Sequence, residues 1–142
     1  MAGYRTFRVH CVTPHIGVEI GGLDLTRPLA DAAAEELRGA LADHLVLFFR
    51  DQQIDFDAHE TLGRLFGELH VAPASAAWTV PRHPEITRIH ADANSTYVTG
   101  EDWHSDMTCD PEPPLGSILY LPVVPETGGD TVFLHAGTVG DA

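Results

Sequence analysis

The stretch Trp103-His104-Ser105-Asp106 opens the part of the chain that decides the fold, because strand-like segments dominate from there onward. Two strong turn signals, Pro111-Glu112-Pro113-Pro114 and Glu126-Thr127-Gly128-Gly129-Asp130, separate those segments. The pattern predicts three strands, at residues 104–109, 116–124 and 131–135. Strands that follow one another across short turns pair antiparallel, so this region predicts an antiparallel sheet.

The earlier part of the chain predicts shorter strands. Alternation of apolar and polar residues predicts strands at 7–12 and 16–20, and the continuous apolar run 46–49 predicts a strand buried on both faces. Residues 71–84 are rich in alanine and proline and predict a loop, with a further strand at 86–90.

Two helices are predicted among these strands. Asp31 is placed to cap a helix over 32–44, whose apolar residues fall on one stripe. A second helix is predicted to begin near Asp55 and to end at Gly67. Helices first and strands later are typical of an α+β domain.

Composition limits the class of protein. The 142 residues suit one compact domain, and 44% of them are hydrophobic, enough for a packed core. Eight arginines and no lysine stand against 21 acidic residues, giving a net charge of −13. This charge disfavours partners such as nucleic acid or an anionic membrane, which attract positive surface. With two cysteines and no signal-peptide pattern, we expect a cytoplasmic location.

The tripeptide His104-Ser105-Asp106 could carry metal chemistry. On a strand, residues two apart point to the same face, so the imidazole and the carboxylate can converge on one ion. One further histidine would complete the two-histidine, one-carboxylate triad that binds non-haem Fe(II). A solvated strand end produces the same tripeptide, and the tripeptide alone leaves that alternative open.

Seven segments carry a resemblance to a known family. They read TPHIG (13–17), LDLTRPL (23–29), VLFFRDQ (46–52), RLFGELH (64–70), WHSD (103–106), PPLGSIL (113–119) and PETGGDT (125–131). In this order they resemble the taurine dioxygenase (TauD/TfdA) family of Fe(II)- and 2-oxoglutarate-dependent dioxygenases. The resemblance implies a double-stranded β-helix, or jelly roll, with flanking helices. Residues 1–142 would then be a single partial domain that lacks the C-terminal part of the family domain.

The resemblance also implies roles for individual residues. His104 and Asp106 match the first two iron ligands, and Thr131 matches the threonine that contacts a carboxylate of 2-oxoglutarate. His70 and Gly100 fall at substrate-side positions. The family's second iron-binding histidine and its arginine for 2-oxoglutarate are expected downstream of residue 142.

The implied reaction couples O₂ and 2-oxoglutarate to oxidation of a small organic substrate, with release of succinate and CO₂. A sulfonate, a sulfate ester or an aryl ether would suit this chemistry. Taurine itself is not expected, because Ala72, Ser75 and Gly100 replace the histidine, tyrosine and asparagine that the taurine enzymes carry.

Two other interpretations stay open. The chain could be a truncated, catalytically inactive fragment that acts as a weak metal-binding or interaction module. Its missing strands would leave unpaired edges, which favour homo-oligomers. A small cupin-type barrel with another activity is the third option, with His135 or His90 as the third metal ligand.

Overall fold

A computed structural model describes residues 3–71, 78–92, 94–96, 98, 100 and 102–139 of the chain. The chain divides into two compact units. Unit 1 comprises Met1–Asp24, Leu29–Gln53 and Leu119–Ala142, and unit 2 comprises Leu25–Pro28 and Ile54–Ile118. Among the described residues, none of the helices combines the length and the apolar character that a bilayer crossing requires.

Unit 1 contains a three-stranded sheet in the order β1-β2-β3. Its strands are β1 (Arg8–Cys11), β2 (Val18–Gly21) and β3 (Leu47–Phe49). β1 pairs antiparallel with β2, and β2 pairs parallel with β3. Val18 and Ile20 alternate along β2 and are both buried, which is the pattern of a strand with one face on the core. The two strands predicted near the N-terminus are confirmed.

A helix, α1 (Asp31–His44), connects β2 to β3, because parallel strands need a long crossover connection. Leu37 and Ala40 are completely buried on its inner stripe. The predicted cap is wrong: Ala30 occupies the N-cap position without a side-chain hydrogen bond, and Asp31 is the first helical residue. Leu45 is the C-cap that follows the helix, and its N–H donates to the Leu41 carbonyl at 2.8 Å.

The prediction that 46–49 is buried on both faces is also wrong. All three residues of β3 are half-buried, because in the described residues β3 pairs on one side only, with β2. Phe48 contacts Phe133 edge to face, with ring centroids 6.1 Å apart. The Arg50 guanidinium lies 5.6 Å from the centroid of the Phe48 ring. In the described residues β3 is therefore an edge strand, and Phe133 and Arg50 contact the side chain of Phe48.

Unit 2 contains α2 (Phe56–Arg64) and the hairpin β4 (Thr79–Val80) and β5 (His83–Thr87). α2 begins where it was predicted, after Asp55, whose Oδ1 caps the helix by accepting the Ala58 N–H at 2.8 Å. It ends at Arg64, so the predicted end at Gly67 is wrong. The hairpin corrects two boundaries: β4 lies inside the predicted loop 71–84, and β5 begins three residues before the predicted 86–90. Arg82, at φ 72°, makes the turn that residue type alone does not reveal.

The three strands predicted at 104–109, 116–124 and 131–135 are wrong for the residues that the structure describes. These segments are turns or irregular backbone, followed by the short helix α3 (Ala136–Val139). A strand requires a neighbouring strand to satisfy its backbone groups, and alternation alone does not supply one. Many apolar side chains of this region are accordingly exposed, including Leu115, Val123 and Val132. The jelly roll therefore stays a prediction.

Candidate metal centre

His104 and Asp106 face each other in unit 2. The distance from His104 Nε2 to Asp106 Oδ1 is 3.3 Å, and both side chains are about half exposed. The sequence predicted that the two residues share a strand face, but the structure shows no strand at these positions. Asp106 begins a turn over residues 106–109, in which Met107 has φ 51° and its carbonyl accepts the Asp110 N–H. The predicted proximity is present, and a turn produces it.

The imidazole of His104 is oriented by the backbone. Its Nδ1 lies 2.7 Å from the Asp102 carbonyl oxygen, which can only accept, so Nδ1 carries the hydrogen. In the neutral ring, Nε2 then carries the lone pair and faces Asp106. The bond to Asp102 raises the pKa of His104 above its ordinary value, and the Asp106 charge raises it further. A proton and a metal ion would compete for this nitrogen.

The carboxylate of Asp106 is oriented by a serine. Ser117 Oγ donates to Asp106 Oδ2 at 2.5 Å, which leaves Oδ1 directed at His104. Each member of the pair therefore has one polar atom held by a neighbour and the other turned inward. This is the arrangement that outer partners give to metal-ligating histidines and carboxylates.

The pair fits a divalent metal ion. Two donors each about 2.1 Å from one ion, at right angles to each other, lie about 3 Å apart, close to the 3.3 Å between Nε2 and Oδ1. An imidazole nitrogen with a carboxylate oxygen is also a suitable donor set for ferrous iron. Among the described residues, no cluster of three or more His, Cys, Asp or Glu could hold a metal. The pair thus offers two protein ligands.

Gly100 lies against the ring of His104. A Cβ at this position would stand 3.3 Å from His104 Cε1, and the glycine has φ +84°. Both features favour the absence of a side chain here. The structure therefore brings Gly100 together with the pair, and its contact with a substrate stays a prediction.

The other predicted site residues lie elsewhere. His70 Nε2 is 3.5 Å from Asp110 Oδ2, so within unit 2 this histidine lies beside the residue that follows the 106–109 turn. Thr131 is exposed and belongs to unit 1, where it follows Gly128 and Gly129. Their roles toward substrate and 2-oxoglutarate stay predictions. The substitutions at Ala72 and Ser75 fall outside the described residues.

A second His-x-Asp pair provides an internal comparison. His90 Nε2 lies 3.5 Å from Asp92 Oδ2. Here the other carboxylate oxygen serves a local turn, accepting the Asn94 N–H at 2.9 Å and the Ser95 hydroxyl at 3.3 Å. These bonds lower the pKa of Asp92, the backbone N–H of Asn94 most of all. Both pairs therefore bring a ring nitrogen near a carboxylate oxygen, but the other oxygen of Asp92 closes a turn of its own neighbours, whereas that of Asp106 is held by a serine 11 residues away.

Sequence reasoning did not find two partners of the pair. The Asp102 carbonyl is a backbone group and carries no residue-type signal, and Ser117 is 11 residues away from Asp106. Neither spacing belongs to a recognisable motif. The cupin alternative gains no support from His90, which pairs with Asp92 and has no cluster of ligands around it in the described chain.

Comparison with known proteins shows that the chain is similar to dioxygenases. The model of the family described as taurine catabolism dioxygenase TauD, TfdA family matches residues 9–142. The chain is 31% identical to an alpha-ketoglutarate-dependent sulfonate dioxygenase of Saccharomyces cerevisiae, over 89% of this chain and 32% of that protein. It is 35% identical to an alpha-ketoglutarate-dependent sulfate ester dioxygenase of Pseudomonas putida, over 89% of this chain and 41% of that protein.

A solved structure shares the fold of part of the chain. The taurine dioxygenase of Burkholderia xenovorans matches with a TM-score of 0.52 and 33% sequence identity, over 56% of this chain and 28% of that one. The chain thus spans about a third to two fifths of the length of the two relatives it matches.

Proposed function

The chain belongs to the taurine catabolism dioxygenase TauD, TfdA family. From this we propose that it functions in an Fe(II)- and 2-oxoglutarate-dependent dioxygenase reaction. The observation that carries the proposal is the convergent pair, with His104 Nε2 and Asp106 Oδ1 3.3 Å apart and their outer atoms held by neighbours. The predicted double-stranded β-helix, of which residues 1–142 form a part, belongs to the same proposal.

His104 and Asp106 hold the metal in this account, and their held outer atoms keep the two donors turned toward it. The bound iron supplies the activation of O₂ that oxidation of a C–H bond requires. With two protein donors in place, positions remain for a chelating co-substrate and for O₂. Thr131 donates its hydroxyl to a carboxylate oxygen of 2-oxoglutarate, a contact that a charged acceptor strengthens.

The proposed substrate is a small sulfonate or sulfate ester. The activities of the two relatives, a sulfonate dioxygenase and a sulfate ester dioxygenase, support this class. Ala72, Ser75 and Gly100 argue against taurine within it, because they stand where the taurine enzymes carry a histidine, a tyrosine and an asparagine. An aryl ether remains a further member of the substrate panel to be tested. A small-molecule partner also agrees with the net charge of −13, which disfavours nucleic acid and anionic membranes. A cytoplasmic location and a homo-oligomeric state stay predictions.

The test follows the co-substrate under anaerobic conditions. Fe(II) and 2-oxoglutarate are added to the chain, and the weak visible charge-transfer band of the chelate is measured. We expect a saturable band, followed by succinate release when O₂ and a sulfonate or sulfate ester are admitted. A chain that shows neither band nor succinate contradicts the proposal.

Thr131→Val provides the side-chain control for this test, because it removes the hydroxyl and keeps the shape. It should raise the 2-oxoglutarate concentration at half-saturation about tenfold, as loss of a charge-assisted hydrogen bond does. Thr127→Val alters an exposed threonine in the preceding turn and should leave that concentration unchanged. Equal effects of the two variants would remove Thr131 from the proposed co-substrate site.

A second candidate function is a weak metal-binding module without turnover. It is favoured by the observation that no third ligand joins the pair among the described residues. Two protein donors hold a metal more weakly than three, so such a module would bind Fe(II) reversibly. Metal binding without succinate release, under any member of the substrate panel, would support this candidate over the dioxygenase.

A further inference from the structure

Ser117 contacts Asp106 of the candidate metal centre but is not itself a candidate metal ligand. Its hydroxyl donates to Asp106 Oδ2 at 2.5 Å, a short bond of the kind that a hydroxyl makes to a charged oxygen. Ser117 lies outside the 106–109 turn and approaches Asp106 from 11 residues further along the chain. Both residues are exposed, so the contact is not forced by burial in a core.

A free aspartate does not present one chosen oxygen to a metal. Rotation of its carboxylate is soft and two-fold, and exposed side chains exchange rotamers readily. Fixing Oδ2 to a hydroxyl removes part of this freedom before a metal arrives and leaves Oδ1 facing His104 Nε2. The Asp106 side chain has then already lost, in the folded chain, part of the rotational freedom that metal binding would otherwise remove.

We propose that Ser117 is a positioning residue of the metal centre: it holds Asp106 so that Oδ1 and His104 Nε2 are presented together to a divalent metal ion. The inference rests on the proposed function and goes beyond it, because Ser117 is not one of the family-implied ligands. Ser117 touches neither substrate nor the reacting atoms and acts through Asp106. The corresponding partner of His104 is the Asp102 backbone carbonyl, which side-chain substitution cannot remove.

The second His-x-Asp pair shows what a serine does where no such role is expected. Ser95 also donates to an aspartate, Asp92, at 3.3 Å, but it lies three residues away in the same turn, and the Asp92 side-chain oxygen closes that turn. The Ser95 hydroxyl also accepts the Asp92 N–H at 2.9 Å, so its bonds are local to the turn. Ser95 is therefore a control of the same residue type with the same kind of acceptor, at a half-buried position.

The test measures Mn(II) binding by the disappearance of the free-ion electron paramagnetic resonance signal, without any turnover. Ser117→Ala should weaken the Mn(II) affinity about tenfold, the lower end of what loss of an outer partner costs a metal site. Ser117→Thr keeps the hydroxyl and should restore the affinity to within about threefold of the wild-type chain. Ser95→Ala should bind Mn(II) as the wild-type chain does. Thermal unfolding midpoints of all three variants should stay close to that of the wild-type chain, because neither serine is buried.

The outcomes separate this inference from the proposed function. If the wild-type chain binds Mn(II) and Ser117→Ala binds it equally well, the positioning role is wrong and the metal centre stands. The role is also wrong if Ser117→Thr is as weak as Ser117→Ala, since the hydroxyl would then not be the active group. If the wild-type chain binds no Mn(II), the metal centre itself is wrong, and the inference is wrong with it.

Discussion

The two ring nitrogens of His104 have different neighbours, and this difference defines the candidate site at the scale of single residues. Nδ1 donates to the Asp102 carbonyl, and Nε2 faces Asp106. The sequence identified the histidine and the aspartate from their spacing on a predicted strand. It could not identify the turn that brings them together, because that turn depends on the backbone conformation of Met107 at φ 51°, which residue type does not dictate. Nor could it identify Ser117.

Gly100→Ala tests the packing around the imidazole. The new Cβ would stand 3.3 Å from His104 Cε1, and alanine is strained at φ +84°. We expect the free energy of unfolding, measured with urea, to fall by about 1–2 kcal/mol. Gly39→Ala is the control, because Gly39 lies in α1 and a Cβ there meets no atom within 4 Å. It should raise the same free energy by up to about 1 kcal/mol, since alanine is the better helix former. Equal effects of the two substitutions would contradict the account of Gly100.

At the scale of elements, the chain shows where local sequence signals suffice. Asp55 and Asp31 both precede apolar helical patterns; Asp31 was predicted to be an N-cap, and a helix was predicted to begin near Asp55. Only Asp55 takes the extended backbone of a cap and accepts the Ala58 N–H; Ala30 occupies the corresponding position in α1. The predicted cap of α1 is off by one residue, which is the usual uncertainty of a helix boundary. Both helices were thus predictable, and so was the start of α2, whereas the N-cap of α1 was not.

Asp55→Ala therefore has a different expected effect from Asp31→Ala. The first substitution removes a capping bond of 2.8 Å and should lower the free energy of unfolding by about 1 kcal/mol. The second removes no capping bond, and only the weaker interaction of its charge with the first turn of α1, so it should cost about 0.5 kcal/mol or less. Urea unfolding of both variants measures the difference. A larger loss at Asp31 than at Asp55 would contradict the assignment of Ala30 as the N-cap of α1.

Glu36 fastens the N-terminal segment to α1 and gives the stability of unit 1 a pH dependence. Its carboxylate accepts the Thr6 hydroxyl at 2.7 Å and the Thr6 N–H at 2.9 Å, together with the Arg5 N–H. The Thr6 hydroxyl and then the Thr6 N–H hold the pKa of Glu36 below its ordinary value. A carboxyl group with a lowered folded pKa stabilises the fold above its unfolded pKa, about 4.3, and loses this contribution as the pH falls through the folded pKa.

Glu36→Gln should therefore lower the thermal midpoint at pH 7, and the difference from the wild-type chain should shrink as the pH is lowered below about 4. Glu35→Gln is the control, because the neighbouring Glu35 is well exposed and pairs with Arg38 one turn along the helix. Its effect should be small at both pH values. A difference between Glu36→Gln and wild type that stays constant across this pH range would contradict the role of the Glu36 charge.

The strands predicted after residue 103 show the opposite case, in which a local signal misleads. Alternation at 116–124 and 131–135 is real, but strand formation depends on a partner from another part of the chain. In the described residues these segments have no such ladder, and Val123 and Val132 are exposed. The sheet at β1-β2-β3 was more predictable, because its partners are close in sequence and α1 supplies the parallel crossover.

At the scale of the whole molecule, sequence order carries more information than the local elements do. Seven short segments in one order indicate the family, and the family model matches residues 9–142. The taurine dioxygenase of Burkholderia xenovorans shares the fold over 56% of the chain. Substrate choice does not follow in the same way, because the residues that would distinguish a sulfonate from a sulfate ester contact the substrate individually. The central claim is therefore the metal centre, which family and geometry support independently.

The most direct test of this claim compares the two His-x-Asp pairs in one anaerobic Fe(II) titration. His104→Ala and Asp106→Ala should each weaken Fe(II) binding at least tenfold, because each removes one of two protein ligands. His90→Ala and Asp92→Ala remove the same residue types at the same spacing, and they should bind Fe(II) as the wild-type chain does. If both pairs of substitutions weaken binding equally, or if neither does, His104 and Asp106 are not the metal ligands.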